Sequence, residues 1–376
     1  MHQNGGGITV KIPLFKIATG EDDCKAVNKV IMRGSFWAEG PEIEQFEEKV
    51  AKYIGTRYGI AFNSGTSALH ALLESYKLKY PLGFDDFEVI VPSFTFMSTA
   101  TSVLLAGGRP VFSEIEYETY GLDVEDIENR ITVKTKAIIL VHYGGYPARD
   151  TIKIRQLADK NNLLLIEDAA ESMGAKINGQ MIGSIGDSAM LSFCQSKTLG
   201  IGEGGMIVTN STTIRDKARL VRSHGKEGDD CVLPGYNYRM PTMCAALGLS
   251  QMKRIDDNIK KRRTAADYIR THLKECPKLD FPSLIKDHFQ VYQLFTIMFE
   301  NSEIRDNVKK ALDAAGVQSK IYFNPVHRTK LYYSTNYGNL PITSDIAGCV
   351  LTVPMYPDIT KNDLDLIIDT IKETVN

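Results

Sequence analysis

One lysine, Lys197, lies between a short apolar run at residues 191–193 and a glycine-dense stretch at residues 200–205. A lysine that is partly buried in a cleft loses some of its preference for the charged form, so its amine becomes a better nucleophile. Such an amine can bond covalently to an aldehyde cofactor, and the glycines would let the backbone approach that cofactor closely. The alternative interpretation is an exposed lysine before a loop, which is the usual setting of a lone lysine.

An acidic residue, Asp168, stands at the end of another apolar run, residues 163–167. The carboxyl ends of strands are where open α/β sheets bind their ligands. A buried carboxylate is costly unless a positive group is its partner, and the protonated nitrogen of a pyridine ring would be such a partner. The alternative is that Asp168 caps a helix that follows it, since aspartate is a good N-cap.

A third segment, Asn-Ser-Gly-Thr-Ser-Ala at residues 63–68, directly precedes a predicted helix. Small hydroxylated residues and a glycine at a helix N-terminus are typical of a phosphate-binding cradle. An ordinary N-cap by Ser64 or Thr66 is the alternative. The segment is not a Walker A loop, because no Gly-Lys-Ser/Thr follows it.

The elements that must position these residues alternate between strand and helix. The predicted strands are residues 88–91, 137–142, 163–167, 189–193 and 206–209, and helical patterns cover residues 41–53, 67–80, 151–160 and 214–223. The strands are short, and several are apolar throughout, as expected of strands buried on both faces. This alternation indicates an α/β fold with a mostly parallel sheet and helices on both sides.

The composition and periodicity of the sequence change near residue 250, and a charge-rich helical pattern covers residues 254–273. Mixed strand and helix segments follow, and Thr360 with Asp363 forms the signature of a capped final helix. We therefore predict a large cofactor-binding domain at residues 1–250 and a smaller C-terminal α+β domain at residues 251–376.

Composition excludes several classes of protein. The 376 residues carry a formal net charge of −2, so the sequence offers no nucleic-acid surface. The cysteines form no CxxC pair and the histidines no HExxH spacing, so no metal site is expected. No apolar stretch approaches the roughly 20 residues of a membrane helix. With dispersed cysteines and no signal-peptide pattern in the first ten residues, the expected location is the cytoplasm.

Six segments together carry a family resemblance. They are residues 63–69, Val-Pro-Ser-Phe-Thr-Phe at 91–96, Glu-Asp-Ala-Ala-Glu at 167–171, Ser-Phe-Cys-Gln-Ser-Lys at 192–197, Gly-Glu-Gly-Gly at 202–205 and Gly-Tyr-Asn-Tyr-Arg-Met at 235–240. In this order they closely resemble the sugar aminotransferases of the DegT/DnrJ/EryC1/StrS family, from about residue 12 to the C-terminus. Within that family the chain is most similar to perosamine synthase-type enzymes.

The resemblance implies the type I aminotransferase fold and the cofactor pyridoxal 5'-phosphate. It also assigns cofactor contacts. Lys197 matches the lysine that bonds to the cofactor, and Asp168 matches the partner of the ring nitrogen. Glu171, one helical turn after Asp168, matches the residue near the ring hydroxyl, and Phe96 matches the aromatic residue that stacks on the ring. Gly65, Thr66, Ser67 and Ser192 match phosphate-binding positions. Asn237 matches a phosphate ligand that the other subunit of a homodimer donates, so the active sites would be shared.

The resemblance also implies a reaction, in which glutamate donates its amino group to a 4-keto-6-deoxy sugar on a nucleoside diphosphate. The product would be a 4-amino sugar for polysaccharide biosynthesis. Arg239 and His327 are the expected substrate contacts. A purely structural role at the edge of the sheet is the alternative for Arg239, and a loop histidine without a role is an equal alternative for His327. Residues 141–147 and 148–149 depart from the family's usual pattern, which leaves the identity of the sugar open.

Three other functions compete with this interpretation. The nearest is amination at carbon 3 of a 3-keto nucleotide sugar. Another is a desulfurase or lyase of the same fold, which would need a reactive cysteine, whereas Cys194 has the setting of a structural residue. The last is a cofactor-binding regulatory protein without turnover, which would normally carry an added DNA-binding domain.

Overall fold

The computed structural model describes residues 10–80, 86–333 and 339–375. Residues 1–9, on which most of the signal-peptide argument rests, lie outside this description. The strands are β1 Tyr58–Phe62, β2 Glu88–Pro92, β3 Arg109–Ser113, β4 Thr135–Val141, β5 Leu164–Asp168, β6 Lys176–Ile177, β7 Gln180–Met181, β8 Ser188–Ser192, β9 Gly205–Thr209, β10 Lys226–Glu227, β11 Asp230–Cys231, β12 Leu279–Asp280, β13 His288–Phe289, β14 Phe295–Phe299 and β15 Val350–Val353.

Helices alternate with these strands in the first two thirds of the chain and dominate the remainder. They are α1 Glu21–Arg33, α2 Pro41–Ile54, α3 Gly65–Lys79, α4 Ser98–Leu105, α5 Val124–Arg130, α6 Thr151–Lys160, α7 Thr212–Arg222, α8 Thr242–Gln251, α9 Ile255–Leu273, α10 Ser302–Ala314, α11 Pro341–Cys349 and α12 Lys361–Val375. Among the described residues, no helix is both long enough and apolar enough to cross a bilayer.

A seven-stranded sheet in the order β1-β9-β8-β5-β4-β2-β3 organises the larger part of the chain. The pairs β3–β2, β2–β4, β4–β5 and β5–β8 are parallel, whereas β9 runs antiparallel to both of its neighbours. The prediction of a mostly parallel sheet is confirmed. Because β2, β4, β5 and β8 run in one direction, their carboxyl ends meet at the same edge.

Both faces of this sheet are covered by helices. Val89 and Val91 of β2 point into a core that includes Leu72 of α3, whereas Ile90 points to the opposite face, where Ile154 of α6 packs. All three β2 side chains are fully buried. Burial on both faces explains why the strands read as continuous apolar runs rather than as an alternation.

The C-terminal part builds a second core around the antiparallel sheet β12-β14-β15. Helices α9, α10 and α12 contribute apolar side chains to this core, and Thr360 and Asp363 form the predicted reciprocal cap at the start of α12, with N–O distances of 3.2 and 3.1 Å. The predicted domain boundary falls at the last turn of α8. Val326, Tyr332 and Leu340, however, pack into the core of the larger sheet.

Candidate active site

Two short segments bring the candidate chemistry together at the carboxyl edge of the sheet. Asp168 is the last residue of β5, and Ser192 is the last residue of β8. Since β5 and β8 are adjacent and parallel, the chain that leaves β8 passes beside the chain that leaves β5. Lys197 lies five residues beyond Ser192, and Glu171 three residues beyond Asp168, so the two side chains can meet across this edge.

Lys197 lies in a tight turn after β8. Its backbone nitrogen donates to the carbonyl oxygen of Cys194 at 2.9 Å, and the nitrogen of Gln195 donates to the oxygen of Gly202 at 2.8 Å. The Lys197 side chain is only 18% exposed, and Nζ lies 3.2 Å from Oε1 of Glu171. The lysine is therefore a partly buried amine held against a carboxylate, not an exposed surface residue.

Asp168 is buried, and its two carboxylate oxygens accept hydrogen bonds from different donors. Thr99 Oγ1 donates to Oδ2 at 2.9 Å, and the backbone nitrogen of Ala170 donates to Oδ1 at 3.2 Å. Burial raises the pKa of Asp168 above its usual value, although both hydrogen bonds and the nearby Lys197 charge act to lower it. The carboxylate would thus gain from a further cationic partner.

The segment after Asp168 forms turns rather than a helix. Residues 169–175 contain no helical stretch, so the alternative in which Asp168 caps a following helix is wrong. The expected placement of Glu171 one helical turn after Asp168 is likewise wrong in its geometry. Glu171 is instead fixed by Gly144, whose backbone nitrogen donates to Oε2 at 2.8 Å, leaving Oε1 for Lys197.

The N-terminus of α3 lies against the end of β8. A Cβ added at Gly65 would come within 3.2 Å of the Ser192 Cβ and 3.3 Å of its Oγ, so the absence of a side chain permits this approach. Ser64 is the N-cap, and its Oγ accepts from the nitrogen of Ser67 at 3.1 Å. Gly65 therefore lies against Ser192, and the half-buried Thr66 follows it in the first turn of α3, at a helix N-terminus that suits an anion.

Ser67 is more constrained than the phosphate-binding role requires. Its hydroxyl lies 2.6 Å from Asn63 Oδ1 and 2.9 Å from the carbonyl oxygen of Ser64, and it accepts from the nitrogen of Ser64 at 3.1 Å. Within the protein, this side chain completes the cap of α3. Its backbone N–H is also used by that cap, whereas Gly65 and Thr66 occupy the two preceding positions of the helix.

Phe96, the expected stacking residue, follows β2 and is 54% exposed. Its ring centroid lies 6.3 Å from that of Phe323 in an edge-to-face arrangement. The segment that carries Phe96 also carries Thr99, the donor to Asp168. The chain after β2 therefore brings an exposed aromatic ring and a buried hydrogen-bond donor to the same edge of the sheet.

His327 lies beside Ser93, the first residue after β2. Ser93 Oγ accepts from the backbone nitrogen of His327 at 3.0 Å and lies 2.7 Å from its Nδ1. This arrangement favours the neutral ring with its proton on Nε2, because the serine hydroxyl can then donate to Nδ1 while it accepts from the backbone nitrogen of His327. Burial lowers the pKa of His327, and the nearby Arg328 charge acts in the same direction.

Asn237 and Arg239 lie on a segment next to the start of α3, where the nitrogen of Asn63 donates to the oxygen of Tyr238 at 2.8 Å. Asn237 is exposed, and its carbonyl oxygen accepts from Asn63 Nδ2 at 3.4 Å. Arg239 forms a 3.6 Å ion pair with Glu39, whose side chain is 73% exposed. Surface pairs of this kind contribute little stability, so the guanidinium remains available to another anion.

Sequence reasoning missed three residues of this site: Thr99, Gly144 and Ser93. Thr99 lies in α4, which the apolar pattern did not predict, and Gly144 contributes only its backbone. Ser93 lies within the segment Val-Pro-Ser-Phe-Thr-Phe at residues 91–96, but the sequence indicated no role for it. In the described ranges, no three His, Cys, Asp or Glu side chains converge in a way that could hold a metal ion.

These residues fit pyridoxal phosphate. Asp168 is a buried carboxylate, and its raised pKa indicates that its negative charge is not fully compensated. The protonated nitrogen of a pyridine ring would supply the missing positive charge. Lys197 presents a partly buried amine, and Gly65 lies against Ser192 at the N-terminus of α3, a place that suits a phosphate.

Comparison with known proteins leads to a family of aminotransferases. The DegT/DnrJ/EryC1/StrS aminotransferase family model matches residues 18–372. The chain is 33% identical over 367 residues to a GDP-perosamine synthase of Escherichia coli O157:H7, covering 96% of this chain and 98% of that protein. It is 36% identical over 353 residues to a UDP-N-acetyl-3-dehydro-alpha-D-glucosamine 3-aminotransferase of Acidithiobacillus ferrooxidans, covering 93% of each.

A solved structure also matches over nearly the whole chain. It is that of S. venezuelae DesV in complex with a ketimine intermediate, with a TM-score of 0.89, 31% identity and 95% coverage of both chains. Fold and site thus define a pyridoxal-phosphate-dependent aminotransferase of fold type I. The chain belongs to the DegT/DnrJ/EryC1/StrS aminotransferase family, which confirms the resemblance stated above.

Proposed function

We propose that the protein transfers the amino group of glutamate to carbon 4 of a 4-keto-6-deoxy sugar linked to a nucleoside diphosphate. The 4-amino sugar that results would serve polysaccharide biosynthesis. The observation that carries the chemistry is the placement of Lys197 against Glu171, in the turn beside the buried Asp168. The GDP-perosamine synthase relative supports the class of substrate.

Each site residue has a task in this proposal. When bound, pyridoxal phosphate would supply an electron-accepting ring and an aldehyde group able to carry an amino group between donor and acceptor. The Asp168 carboxylate holds the proton on the ring nitrogen. Lys197 would hold the cofactor through Nζ and, when its amine is free, would accept and deliver a proton at that atom. Glu171 orients that Nζ through Oε1.

The remaining cofactor contacts follow from the walls of the site. Gly65 and Thr66 at the start of α3, together with Ser192, would hold the phosphate, and Ser67 would contribute through the helix that it helps to cap. Phe96 would pack on the face of the ring, and its large exposed area would then be covered. An uncovered aromatic ring at the mouth of a site gains apolar burial when a flat ligand binds.

Two substrate contacts are proposed: His327, beside the end of β2, and Arg239, on the segment next to the start of α3. His327 would donate from Nε2 to an oxygen of the sugar or the diphosphate, in the tautomer that Ser93 favours. Arg239 would bind the diphosphate, since a guanidinium binds phosphate oxygens in a bidentate manner and its present partner Glu39 is exposed. These groups suit a neutral sugar ring with an anionic tail.

Amination at carbon 3 is the second candidate. The supporting observation is the relative whose name gives a 3-aminotransferase acting on a UDP-linked 3-keto sugar, at 36% identity over 353 residues. The identity to this relative is similar to that shared with the perosamine synthase. The residues that bind the cofactor would serve both reactions equally, so regiochemistry depends on how the sugar is oriented.

A homodimer with shared active sites is part of the proposal. Large apolar side chains are exposed next to the segment that carries Asn237: Phe36 is 65% exposed, Trp37 49% and Tyr236 38%. The carbonyl oxygen of Trp37 accepts from the nitrogen of Thr242 at 2.7 Å, so these side chains lie close to the same part of the chain. Burial of such a patch against a second copy would bring Asn237 to the partner's phosphate site.

We also place the reaction in the cytoplasm. Free thiols at several positions suit a reducing compartment, and all six cysteines are free: Cys24, Cys194, Cys231, Cys244, Cys276 and Cys349. Nucleotide sugars and glutamate are the expected small-molecule partners, and no nucleic acid is expected.

Product analysis tests this function. The purified protein is incubated with glutamate and matched 4-keto and 3-keto nucleotide sugars, and the products are assigned by NMR. Amination at carbon 4 is the expected result. Amination at carbon 3 alone would establish the second candidate, and amination of neither sugar would overturn the substrate class.

A further inference from the structure

We propose that Gln293 is a positioning residue for Lys197, holding the backbone on both sides of the lysine. The inference rests on the proposed role of Lys197 and concerns how its amine is kept in place. Gln293 lies in the segment before β14, far from Lys197 in sequence, and its side chain is 5% exposed.

One amide group binds both neighbours of Lys197. Nε2 of Gln293 donates to the carbonyl oxygen of Ser196 at 2.6 Å, and Oε1 accepts from Oγ1 of Thr198 at 2.9 Å. Thr198 is itself buried. Because the two contacts are on the residues directly before and after Lys197, the amide restrains the peptide that carries the amine from both sides.

The backbone around Gln293 is also tied to Glu171. The nitrogen of Leu294 donates to the oxygen of Gly144 at 3.0 Å, and the nitrogen of Gly144 in turn donates to Oε2 of Glu171 at 2.8 Å. Gly145 allows the close packing: a Cβ added there would lie 2.9 Å from the nitrogen of Gln293 and 3.1 Å from the oxygen of Glu171. With its φ of 89°, Gly145 also adopts a conformation that favours glycine.

These contacts form a closed ring of interactions. From the Lys197 amine the ring passes through the side chain of Glu171 and the backbone of Gly144 to Leu294. It returns through Gln293 to the peptide that carries the lysine. A ring of this kind fixes the amine and the carboxylate relative to each other, since neither can shift without breaking a contact.

The segment that carries Gln293 is held firmly from its other side. Tyr292 is buried and has a φ of 50°, which a residue with a side chain adopts only when its surroundings impose it. Arg262 and Arg263 of α9 donate to the carbonyl oxygens of Tyr292 and Gln290, at 3.2 and 2.6 Å. The amide of Gln293 is therefore presented by a rigid support.

The test compares two buried glutamines replaced in the same way. Gln293→Met keeps the side-chain length and removes both hydrogen bonds. Gln251→Met is the matched control, because Gln251 is 4% exposed and its Nε2 donates to Asp23 Oδ2 at 3.0 Å and to the oxygen of Ala18 at 3.1 Å. Both variants are studied as holoenzymes, and circular dichroism establishes that each is folded.

Three readouts separate positioning from simple packing. For Gln293→Met we expect kcat to fall about 10- to 100-fold with little change in the KM of either substrate, as for a reacting group displaced by a fraction of an ångström to one ångström. We expect the pH midpoint of the cofactor absorbance band to shift relative to wild type. Amide hydrogen exchange in the peptide containing Lys197 should become faster. Gln251→Met should leave all three at wild-type values.

A second pair of variants keeps the inference testable if Gln293→Met does not fold. Thr198→Val removes one arm of the contact, and Gln293→Glu retains an acceptor for Thr198 while losing the donor to Ser196. Thr198→Val should give the same changes at reduced size, and Gln293→Glu should give changes at least as large as Gln293→Met, because its carboxylate would face the carbonyl oxygen of Ser196 without a donor. Folded variants of Gln293 and Thr198 with wild-type kcat, absorbance midpoint and exchange would overturn the inference.

Failure of the inference is distinguishable from failure of the proposed function. Borohydride reduction of the wild-type holoenzyme, followed by peptide mass analysis, reports whether the cofactor is attached to Lys197. Attachment elsewhere would remove the basis of both statements. Attachment at Lys197, combined with unchanged Gln293 variants, would leave the proposed function intact and reject the positioning role alone.

Discussion

Lys197 and Glu171 are joined directly, with Nζ of the lysine 3.2 Å from Oε1 of the glutamate. The other oxygen of Glu171 accepts from the backbone nitrogen of Gly144. The carboxylate therefore connects the amine to a fixed part of the backbone at the end of β4, and it defines where the amine lies before the cofactor and the substrates bind.

Replacing Lys197 should abolish turnover while leaving the fold intact. Lys197→Arg keeps a positive charge for Glu171 but has no amine that can bond to the cofactor. We expect kcat to fall by at least about three orders of magnitude in Lys197→Arg and Lys197→Ala alike, as when a nucleophile is removed. Steady-state assays check this, with circular dichroism as the control. Wild-type turnover by either variant would show that another residue bears the chemistry.

Replacing Asp168 by asparagine should damage activity more than stability. The amide keeps the shape of the carboxylate and can still accept a hydrogen bond from Thr99, but it cannot hold the proton on the ring nitrogen. We expect kcat to fall about 10²- to 10³-fold, the usual effect of removing one preorganised electrostatic group. A folded Asp168→Asn protein with normal rates would mean that the carboxylate has only a structural role.

The same substitution predicts a pH effect in the cofactor-free protein. Burial raises the pKa of Asp168 above the usual 3.8, so the folded state binds this proton more tightly than the unfolded state does. The contribution of Asp168 to stability is therefore favourable at low pH and is lost as the pH rises through the raised pKa. Urea unfolding should show wild type losing stability relative to Asp168→Asn across this window. A difference that is independent of pH would contradict the assignment.

Mixed dimers test the shared site. A Lys197→Ala subunit and an Asn237→Asp subunit should each be inactive alone, because one lacks the amine and the other places a negative charge at the phosphate. Refolding them together should restore part of the activity, since one site of the heterodimer would be intact. Lys197→Ala mixed with Lys197→Arg is the matched control and should recover nothing. No recovery in an isolated heterodimer would count against donation of Asn237 across the interface.

His327 should affect the sugar substrate alone. His327→Asn removes the proposed Nε2 donor, and we expect the KM for the nucleotide sugar to rise about tenfold, as for one hydrogen bond. Ser93→Ala should raise the same KM by a smaller factor, because it removes the contact that favours the proton on Nε2 but leaves the His327 ring in place. Separate measurement of the two half-reactions checks this. An equal effect on the reaction with glutamate would indicate a general loss of structure.

The sequence predicted the central strands well because they are buried on both faces. The strands around Val89, Ala137, Leu165, Met190 and Ile207 appear within a few residues of their expected bounds. The two edge strands β1 and β3 were missed. Gly59 weakens the pattern in β1, and Pro110 is tolerated in β3 only because that strand lies at the edge of the sheet.

The sequence predicted the main residues of the site but not the contacts that hold them in place. Asp168 and Lys197 could be found from strand ends, since neighbouring parallel strands deliver their following residues to one edge. The contacts that fix them come from Thr99, Gly144 and Gln293, which are distant in sequence. Such contacts depend on side-chain direction and tertiary packing, for which a single sequence contains no local signal.

The most direct test of the central claim is the covalent state of Lys197 in the purified protein. Borohydride reduction followed by proteolysis and mass spectrometry locates the lysine that carries the cofactor. We expect a pyridoxyl-phosphate mass increment on the peptide that contains Lys197, and loss of that increment in Lys197→Arg. A modified lysine elsewhere, with Lys197 unmodified in the active protein, would show that Lys197 is not the residue that holds the cofactor.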